Sequence, residues 1–222
     1  MLRNTLTMSM SLLLAQSALA DEHCVDPNTV VGASYRIETS GGDARDITVL
    51  RNTVGNVMYI LDTEALTRVY QNYGKAGVAV IEYFDGESIG VEYEPSTQIA
   101  ADGWDAIYQV FPESSLVDLE TAKTDVYHCL ATTHYTGPEL DVTYLDTVKL
   151  PLAVEQVSGD TTQEWTLTAL HTDRSVLDAK LAQVDGYRTY DFADLGDSEN
   201  EPFFRNSEYL KYKLHGPGGH SH

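Results

Sequence analysis

The chain has 222 residues and a formal net charge of −20, with 34 acidic and 14 basic side chains. This charge argues against nucleic acid and anionic lipid surfaces as partners, because phosphates need Lys and Arg on the protein that binds them. The hydrophobic content of 42% is enough to form a core and excludes a globally disordered chain.

Residues 1–20 have the pattern of an export signal. Arg3 gives a positive start, a short apolar run covers 6–15, and residues 18–20 form an Ala-Leu-Ala cleavage sequence. The run is too short to span a bilayer as a permanent helix. We therefore expect cleavage near Ala20 and a periplasmic or secreted mature protein with no integral membrane segment.

Cys24 and Cys129 are the two cysteines of the chain. In an oxidising compartment an even pair predicts one disulfide, which would join the mature N-terminus to the strand around Cys129. The alternative is a pair of thiolate metal ligands. Because the spacing matches no C-x-x-C motif, the disulfide is the favoured prediction.

Short β-prone runs separated by turn formers make up the first part of the mature chain. Strands are predicted at 35–39, 44–51 and 57–61, and 66–73 is left open between strand and helix. A β-hairpin is predicted over 75–95, with its turn at Asp85-Gly86, because both residues tolerate positive φ.

The first arm of this hairpin is apolar on both faces. Val78, Val80 and Phe84 share one face, and Ala79 and Ile81 lie on the other. Such a strand is covered on both sides, or has one face on a core and the other on an apolar cavity.

A helix is predicted where Trp104, Ile107, Tyr108 and Phe111 recur at i, i+3, i+4 and i+7, and Pro112 would end it. A short second helix is expected from Ser114-Ser115 to Leu119. Strands are then predicted at 126–135, 140–145, 150–157 and 165–170, followed by a helix over 175–184 that Gly186 closes. This order predicts an α+β, mainly antiparallel β domain at 21–185 and an acidic, His/Gly-rich tail at 186–222.

The segment DVTYLDTVKLPLAVEQVSGDTTQEWTLTALH, from Asp141 to His171, resembles the later strands of the periplasmic lipoprotein-carrier superfamily, the LolA/LolB-like fold. The resemblance rests on a strand entered through Leu150-Pro151 and a turn at Gly159-Asp160. It implies a strongly curved sheet or half-barrel with helices covering one face and an apolar cavity between them.

The two ends of the mature chain offer histidines to a metal. After cleavage at Ala20, His23 is the third residue, so the α-amine, two amide nitrogens and its imidazole can surround Cu(II) or Ni(II) in a plane. His215, His220 and His222 lie on a Gly-rich tether, and short His-rich tracts can bind metal. A solvated tail without metal is the alternative.

No zinc-protease helix or phosphate-binding loop occurs in the chain. The stretch Gly86-Glu-Ser-Ile-Gly90 matches G-x-S-x-G, but it lies in the predicted β-hairpin and not in the strand-to-helix turn of a nucleophile elbow. We therefore expect a non-enzymatic, exported binding or carrier protein for an apolar ligand (a lipid or lipoprotein) or an envelope protein partner. The candidate ligand-binding residues are Val78, Val80, Phe84, Trp104, Tyr108 and Phe111. The alternative function is a periplasmic Cu(II)/Ni(II)-binding protein that uses His23 and the tail histidines.

Overall fold

The structure is a computed structural model that describes residues 23–52, 55–96, 101–194 and 202–205. The export signal and the tail histidines lie outside the described residues. Helices are α1 (Ala101–Gln109), α2 (Arg174–Asp185) and α3 (Pro202–Arg205). The strands are β1 (Gly32–Thr39), β2 (Arg45–Arg51), β3 (Asn56–Leu61), β4 (Leu66–Asn72), β5 (Val78–Phe84), β6 (Ile89–Ser96), β7 (Glu120–Tyr127), β8 (Leu130–Thr136), β9 (Leu140–Leu145), β10 (Leu150–Ser158), β11 (Thr161–His171) and β12 (Arg188–Asp191).

The described strands form one twelve-stranded sheet in the order β12-β6-β5-β4-β3-β2-β1-β11-β10-β9-β8-β7. All neighbours are antiparallel except β12, which runs parallel to β6. The sheet is open, with β12 and β7 at its two edges. The prediction of a mainly antiparallel β fold is confirmed.

Three predicted elements differ in detail. The single strand expected at 126–135 is a hairpin, because His128 and Cys129 both take positive φ (48° and 65°) and turn the chain between β7 and β8. The segment left open at 66–73 is strand β4. The β5–β6 hairpin is present, but its loop runs over four residues to Ser88, which takes the positive φ (56°).

The sheet extends beyond the predicted domain boundary at residue 185. Strand β12 pairs with β6, and Phe203 of α3 is buried against Ile89 and Val91 of β6. The first residues of the predicted tail are therefore part of the sheet domain. Strand β12 was not predicted because its four residues do not alternate between apolar and polar side chains.

The helices α1 and α2 lie on opposite faces of the sheet. Trp104 of α1 packs against a core that includes Val49 and Val57, whereas Leu177 of α2 packs with Leu50 and Met58. Consecutive strand residues point to opposite faces, so we name the two sides the α1 face and the α2 face. The expectation that helices cover one face is corrected, because the apolar runs of β2 and β3 need cover on both sides.

The α1 face bends toward the β9–β10 turn. Arg51, at the end of β2, donates hydrogen bonds to the carbonyl oxygens of Val148 and Lys149 in that turn. In a flat sheet β2 and β10 would lie about 14 Å apart, at about 4.8 Å per strand. The side chain spans this separation because the sheet curves around the α1 face. How strongly it curves stays a prediction.

Cys24 and Cys129 form the predicted disulfide, with their Cα atoms 5.0 Å apart. The bond joins the N-terminal segment to the β7–β8 turn, and the backbone N–H of Val25 donates to the carbonyl oxygen of His128 (3.0 Å). A disulfide fits an exported protein. No helix in the described ranges is long and apolar enough to cross a membrane.

Candidate functional site

The candidate site is the interface between α1 and the α1 face. Trp104, Ile107 and Tyr108 project from one side of α1, as their spacing predicted, and each is half-buried. They pack against the inner cluster, defined as Ala33, Tyr35, Ile37, Ile47, Val49, Val57, Leu130, Leu145, Val148, Leu150 and Leu167. The helix therefore covers the most extensively buried part of the sheet with side chains that still reach solvent.

Two side chains from the sheet hydrogen-bond to the last turn of α1. The hydroxyl of Tyr59 donates to the carbonyl oxygen of Ile107 (2.7 Å), and Arg51 donates to that of Tyr108 (2.8 Å). The last carbonyls of a helix have no partner within the helix, so these bonds satisfy acceptors that would otherwise be buried and unpaired. The guanidinium also complements the negative end of the helix dipole.

The chain leaves α1 through an unusual backbone conformation. Val110 has a φ of 66°, a region in which helices normally place glycine and which is costly for a β-branched residue. The following residue, Phe111, packs against a separate cluster that contains Leu116 and Tyr144. The turn thus brings both residues to the rim of the site.

A small cavity opens beside this turn. Its volume is ≈ 50 Å³, enough for one or two water molecules. Trp165 at its wall donates its indole N–H to the side-chain oxygen of Gln163 (2.9 Å). The lining residues are Val110, Phe111, Pro151, Val154, Gln156, Gln163 and Trp165.

Burial controls the electrostatics beneath α1. It raises the pKa of the Tyr35, Tyr59 and Tyr144 hydroxyls well above the usual value of 10.0. It lowers the pKa of Arg51, partly offset by the nearby tyrosines. All three hydroxyls are therefore neutral donors at physiological pH, and Arg51 is a charged group beneath α1.

Four of the six predicted ligand-binding residues belong to described apolar clusters, and these four are divided among three clusters. Trp104 and Tyr108 contact the inner cluster and Phe111 lies at the rim, whereas Phe84 of β5 packs against the apolar cluster formed by β6 and α3. Val78 is only 2% exposed, and the ring of Phe84 packs on Phe203 with centroids 4.8 Å apart. Ligand binding by these residues stays a prediction.

The predicted metal ligands are four histidines at the two ends of the mature chain. His23 is exposed, and the three tail histidines lie outside the described residues. Within the described ranges, no three His, Cys, Asp or Glu side chains are grouped to hold a metal ion. Copper or nickel binding at the two ends stays a prediction.

Two histidines on strands lie within hydrogen-bond distance of hydroxyl groups. His171 hydrogen-bonds the hydroxyl of Ser34 (2.8 Å), and burial lowers its pKa. His134 Nδ1 lies 3.2 Å from the hydroxyl of Thr143. His128 is in the β7–β8 turn and not on one strand with His134, because a hairpin replaces the single strand expected at 126–135.

The sequence analysis did not identify Arg51 and Tyr59 as residues of the candidate site. A signal was present, since Ile47, Val49 and Arg51 alternate in phase along β2, which places the arginine on the buried face. The alternation gives the direction of the side chain. It does not give the carbonyl oxygens that the side chain binds, because these lie far away in sequence.

Comparisons with known proteins do not establish a family. No protein-family model matches the chain, and no curated protein matches it. The chain is similar to a structure titled as the complex of Pseudomonas aeruginosa MucA/MucB, with 15% identity and a TM-score of 0.32, over 63% of this chain and 50% of that chain. A structure of PNGF-II matches at 10% identity and a TM-score of 0.35, over 75% of this chain and 32% of that chain.

This chain therefore spans half or less of the length of those two structures. The open antiparallel sheet agrees in outline with the fold that the lipoprotein-carrier resemblance implies, and membership in that superfamily stays a prediction.

Proposed function

We propose that this protein is an exported, non-enzymatic binding protein that holds an apolar ligand between α1 and the α1 face. The observation that carries the proposal is the packing of α1. Its aromatic and aliphatic side chains cover a large apolar cluster while remaining half-buried. An apolar molecule that enters here replaces these contacts with its own.

Several features favour a displaceable helix. With nine residues, α1 is shorter than the about 12–15 residues at which isolated helices become stable in water, so its structure depends on its contacts with the sheet. The cavity of ≈ 50 Å³ at its end is too small for an acyl chain. Binding therefore requires α1 to move, and the strained Val110 is a pivot at its C-terminal end.

The ligand class follows from the chemistry of the surface. The inner cluster beneath α1 is aliphatic and aromatic, and a net charge of −20 disfavours anionic ligands. A neutral apolar molecule, or the apolar side chains of a partner protein, matches this surface.

The two tryptophans of the chain, Trp104 and Trp165, both contact the inner cluster, so intrinsic fluorescence reports on this site. Titration with N-phenyl-1-naphthylamine, a neutral apolar fluorophore, is expected to quench tryptophan emission by energy transfer. Tyr59→Phe, which loosens α1, is expected to speed association. The matched control is Val176→Ala on α2, which leaves association unchanged.

Native mass spectrometry of protein isolated from the periplasm provides a second test. A bound apolar mass supports the proposal. A protein that is ligand-free, and whose fluorescence does not respond to the fluorophore, contradicts it. A co-purifying polypeptide that competes with the fluorophore identifies a protein partner as the occupant.

A further inference from the structure

A row of carboxylates crosses three strands on the α2 face, away from α2. Glu155 of β10 lies directly opposite Asp141 of β9 and also opposite Glu164 of β11. Their neighbours Val154 and Trp165 point into the clusters on the α1 face, so the three acidic side chains project to the other side. We call Asp141, Glu155 and Glu164 the acidic row.

This arrangement is unfavourable for the isolated protein. Cβ atoms of directly opposed residues lie about 4.5–5.5 Å apart, and like charges at that distance repel. In the described part of the chain, none of the three carboxylates forms an ion pair. Arg36, on the adjacent β1, is engaged with Glu38 (3.0 Å) and Asp46 (3.5 Å).

A groove accompanies the acidic row. It has a volume of ≈ 240 Å³, and its wall includes all three carboxylates together with His134, Thr143, Ala153, Val154, Trp165 and Thr166. Strand β10 has an irregularity in its pairing with β9 between Pro151 and Ala153, at the edge of the groove. Such bulges re-aim side chains and are frequent beside functional sites.

Asp141 supplies an independent observation. Its Oδ1 atom is buried and accepts no hydrogen bond within the described residues. Buried acceptors without a donor are rare in native proteins, and each calls for an explanation. A donor group brought by a ligand would pair with this carboxylate and relieve the repulsion along the row.

The geometry points to a nitrogen cation as this ligand: we propose that the groove binds an ammonium or guanidinium group. A metal ion needs ligand atoms within about 2.0–2.6 Å of one point, and no group of described residues is arranged to hold one. The row extends for about 10 Å at about 4.8 Å per strand. Multivalent nitrogen cations can hydrogen-bond to carboxylates over that length.

The volume limits the size of the ligand. It lies below the about 300–1,000 Å³ of typical small-molecule pockets, which suits a linear amine or one basic side chain of a polypeptide. The two sources present the same chemistry. This site is on the opposite face from α1 and is independent of the proposed apolar binding.

The test uses calorimetry on the full mature chain at low salt with two probes, spermidine and an N-acetylated, C-amidated Gly-Lys-Gly-Lys-Gly peptide. Glu155→Gln and Glu164→Gln remove one charge each without changing size. Glu87→Gln, an exposed acid in the β5–β6 loop, is the control with the same charge change. We expect each groove variant to weaken binding at least tenfold and the control to change it less than twofold.

Binding of spermidine alone indicates a free polyamine, and binding of the peptide indicates a basic polypeptide segment; either supports the site. Equal weakening by all three variants would overturn it, since that result reflects net charge. Failure of both probes to bind at 1 mM, roughly the weak limit of specific affinity, would also overturn it, as would tighter binding of Ca²⁺ than of either probe.

Thermal unfolding without ligand gives a second readout. Each groove variant is expected to unfold at a higher temperature than the wild type, because one repulsive charge is gone. A lower temperature for both would show that the carboxylates already have stabilising partners, and would contradict the proposal.

Discussion

The guanidinium of Arg51 donates a hydrogen bond to the carbonyl oxygen of Tyr108 (2.8 Å) and lies 4.7 Å from the centre of the ring of the same residue. The side chain of Arg51 also reaches the carbonyl oxygens of Val148 and Lys149. Arg51 is 7% exposed, and within the described residues no carboxylate pairs with it. One buried cation thus joins β2, α1 and the β9–β10 turn through carbonyl oxygens.

Replacing Arg51 with methionine is expected to lower the free energy of unfolding by about 2–3 kcal/mol. The carbonyl oxygens of Tyr108, Val148 and Lys149 lose their hydrogen-bond donor. This loss of stability is partly offset because the variant does not have to bury a charge. Urea denaturation measures the change. Arg36→Met on the exposed side of neighbouring β1 should leave the stability within error, and an Arg51→Met protein as stable as the wild type would contradict the assigned role.

The same variant should loosen α1 specifically. Hydrogen exchange of the amides of Ile107 and Tyr108 is expected to accelerate more than that of β4 or β5 amides, because the last turn loses its anchor. Uniform acceleration throughout the protein would indicate general destabilisation without any link between Arg51 and the helix.

Stability is expected to fall as the pH rises above 10. Burial raises the pKa of Tyr35, Tyr59 and Tyr144. Below pH 10 their hydroxyls are protonated in both folded and unfolded chains, so they add no pH dependence. Above pH 10 the unfolded chain releases these protons and the folded protein retains them, so unfolding becomes easier by about 1.4 kcal/mol per pH unit for each group.

Urea denaturation between pH 9 and 11.5 measures this slope. Tyr59→Phe should reduce the slope by the contribution of one hydroxyl, and Tyr73→Phe, at a residue that is 55% exposed, is the matched control for the substitution. Equal slopes in wild type and Tyr59→Phe would show that this hydroxyl is not held protonated by the fold.

Local periodicity predicted much of the fold. The spacing of Trp104 and Ile107 gave α1 and its buried side, and the runs predicted as strands at 150–157 and 165–170 correspond to β10 and to the second half of β11. The β7–β8 turn was missed because His128 and Cys129 are not typical of two-residue turns, which favour Asn and Gly. The disulfide, which holds this turn to the N-terminal segment, was predicted from the pairing of two cysteines and not from local pattern.

The candidate site was harder to predict. Its aromatic residues on α1 were identified, but Val78 and Phe84 were grouped with them because strand alternation gives a face and not a position across a wide sheet. The acidic row was not predicted either, because its three carboxylates become neighbours only through the register of β9, β10 and β11.

Asp85, predicted only as a turn residue, holds the β5–β6 hairpin to α2. Its carboxylate accepts hydrogen bonds from Lys180 Nζ (3.0 Å), the Tyr187 hydroxyl (2.9 Å) and the Thr67 hydroxyl (2.7 Å). Asp85→Ala is expected to cost about 2–3 kcal/mol, because the half-buried ammonium of Lys180 loses its counter-ion.

Guanidinium chloride denaturation measures this cost, with Asp43→Ala in the exposed β1–β2 loop as the matched control. A double-mutant cycle with Lys180→Met should give a coupling energy of about 1 kcal/mol or more. A coupling near zero would show that the ion pair contributes nothing and that the loss comes from the hydroxyl bonds.

The disulfide is expected to contribute about 2–4 kcal/mol, below the about 4.7 kcal/mol that the chain-entropy model gives for a loop of this size. Cys24 and Cys129 are 105 positions apart, so reduction frees a long segment of the unfolded chain. Unfolding of the wild type with and without dithiothreitol measures the contribution. The Cys24→Ser/Cys129→Ser variant should match the reduced wild type and should not respond to the reductant. If the wild type were equally stable in both conditions, the bond would contribute nothing to the stability of the fold.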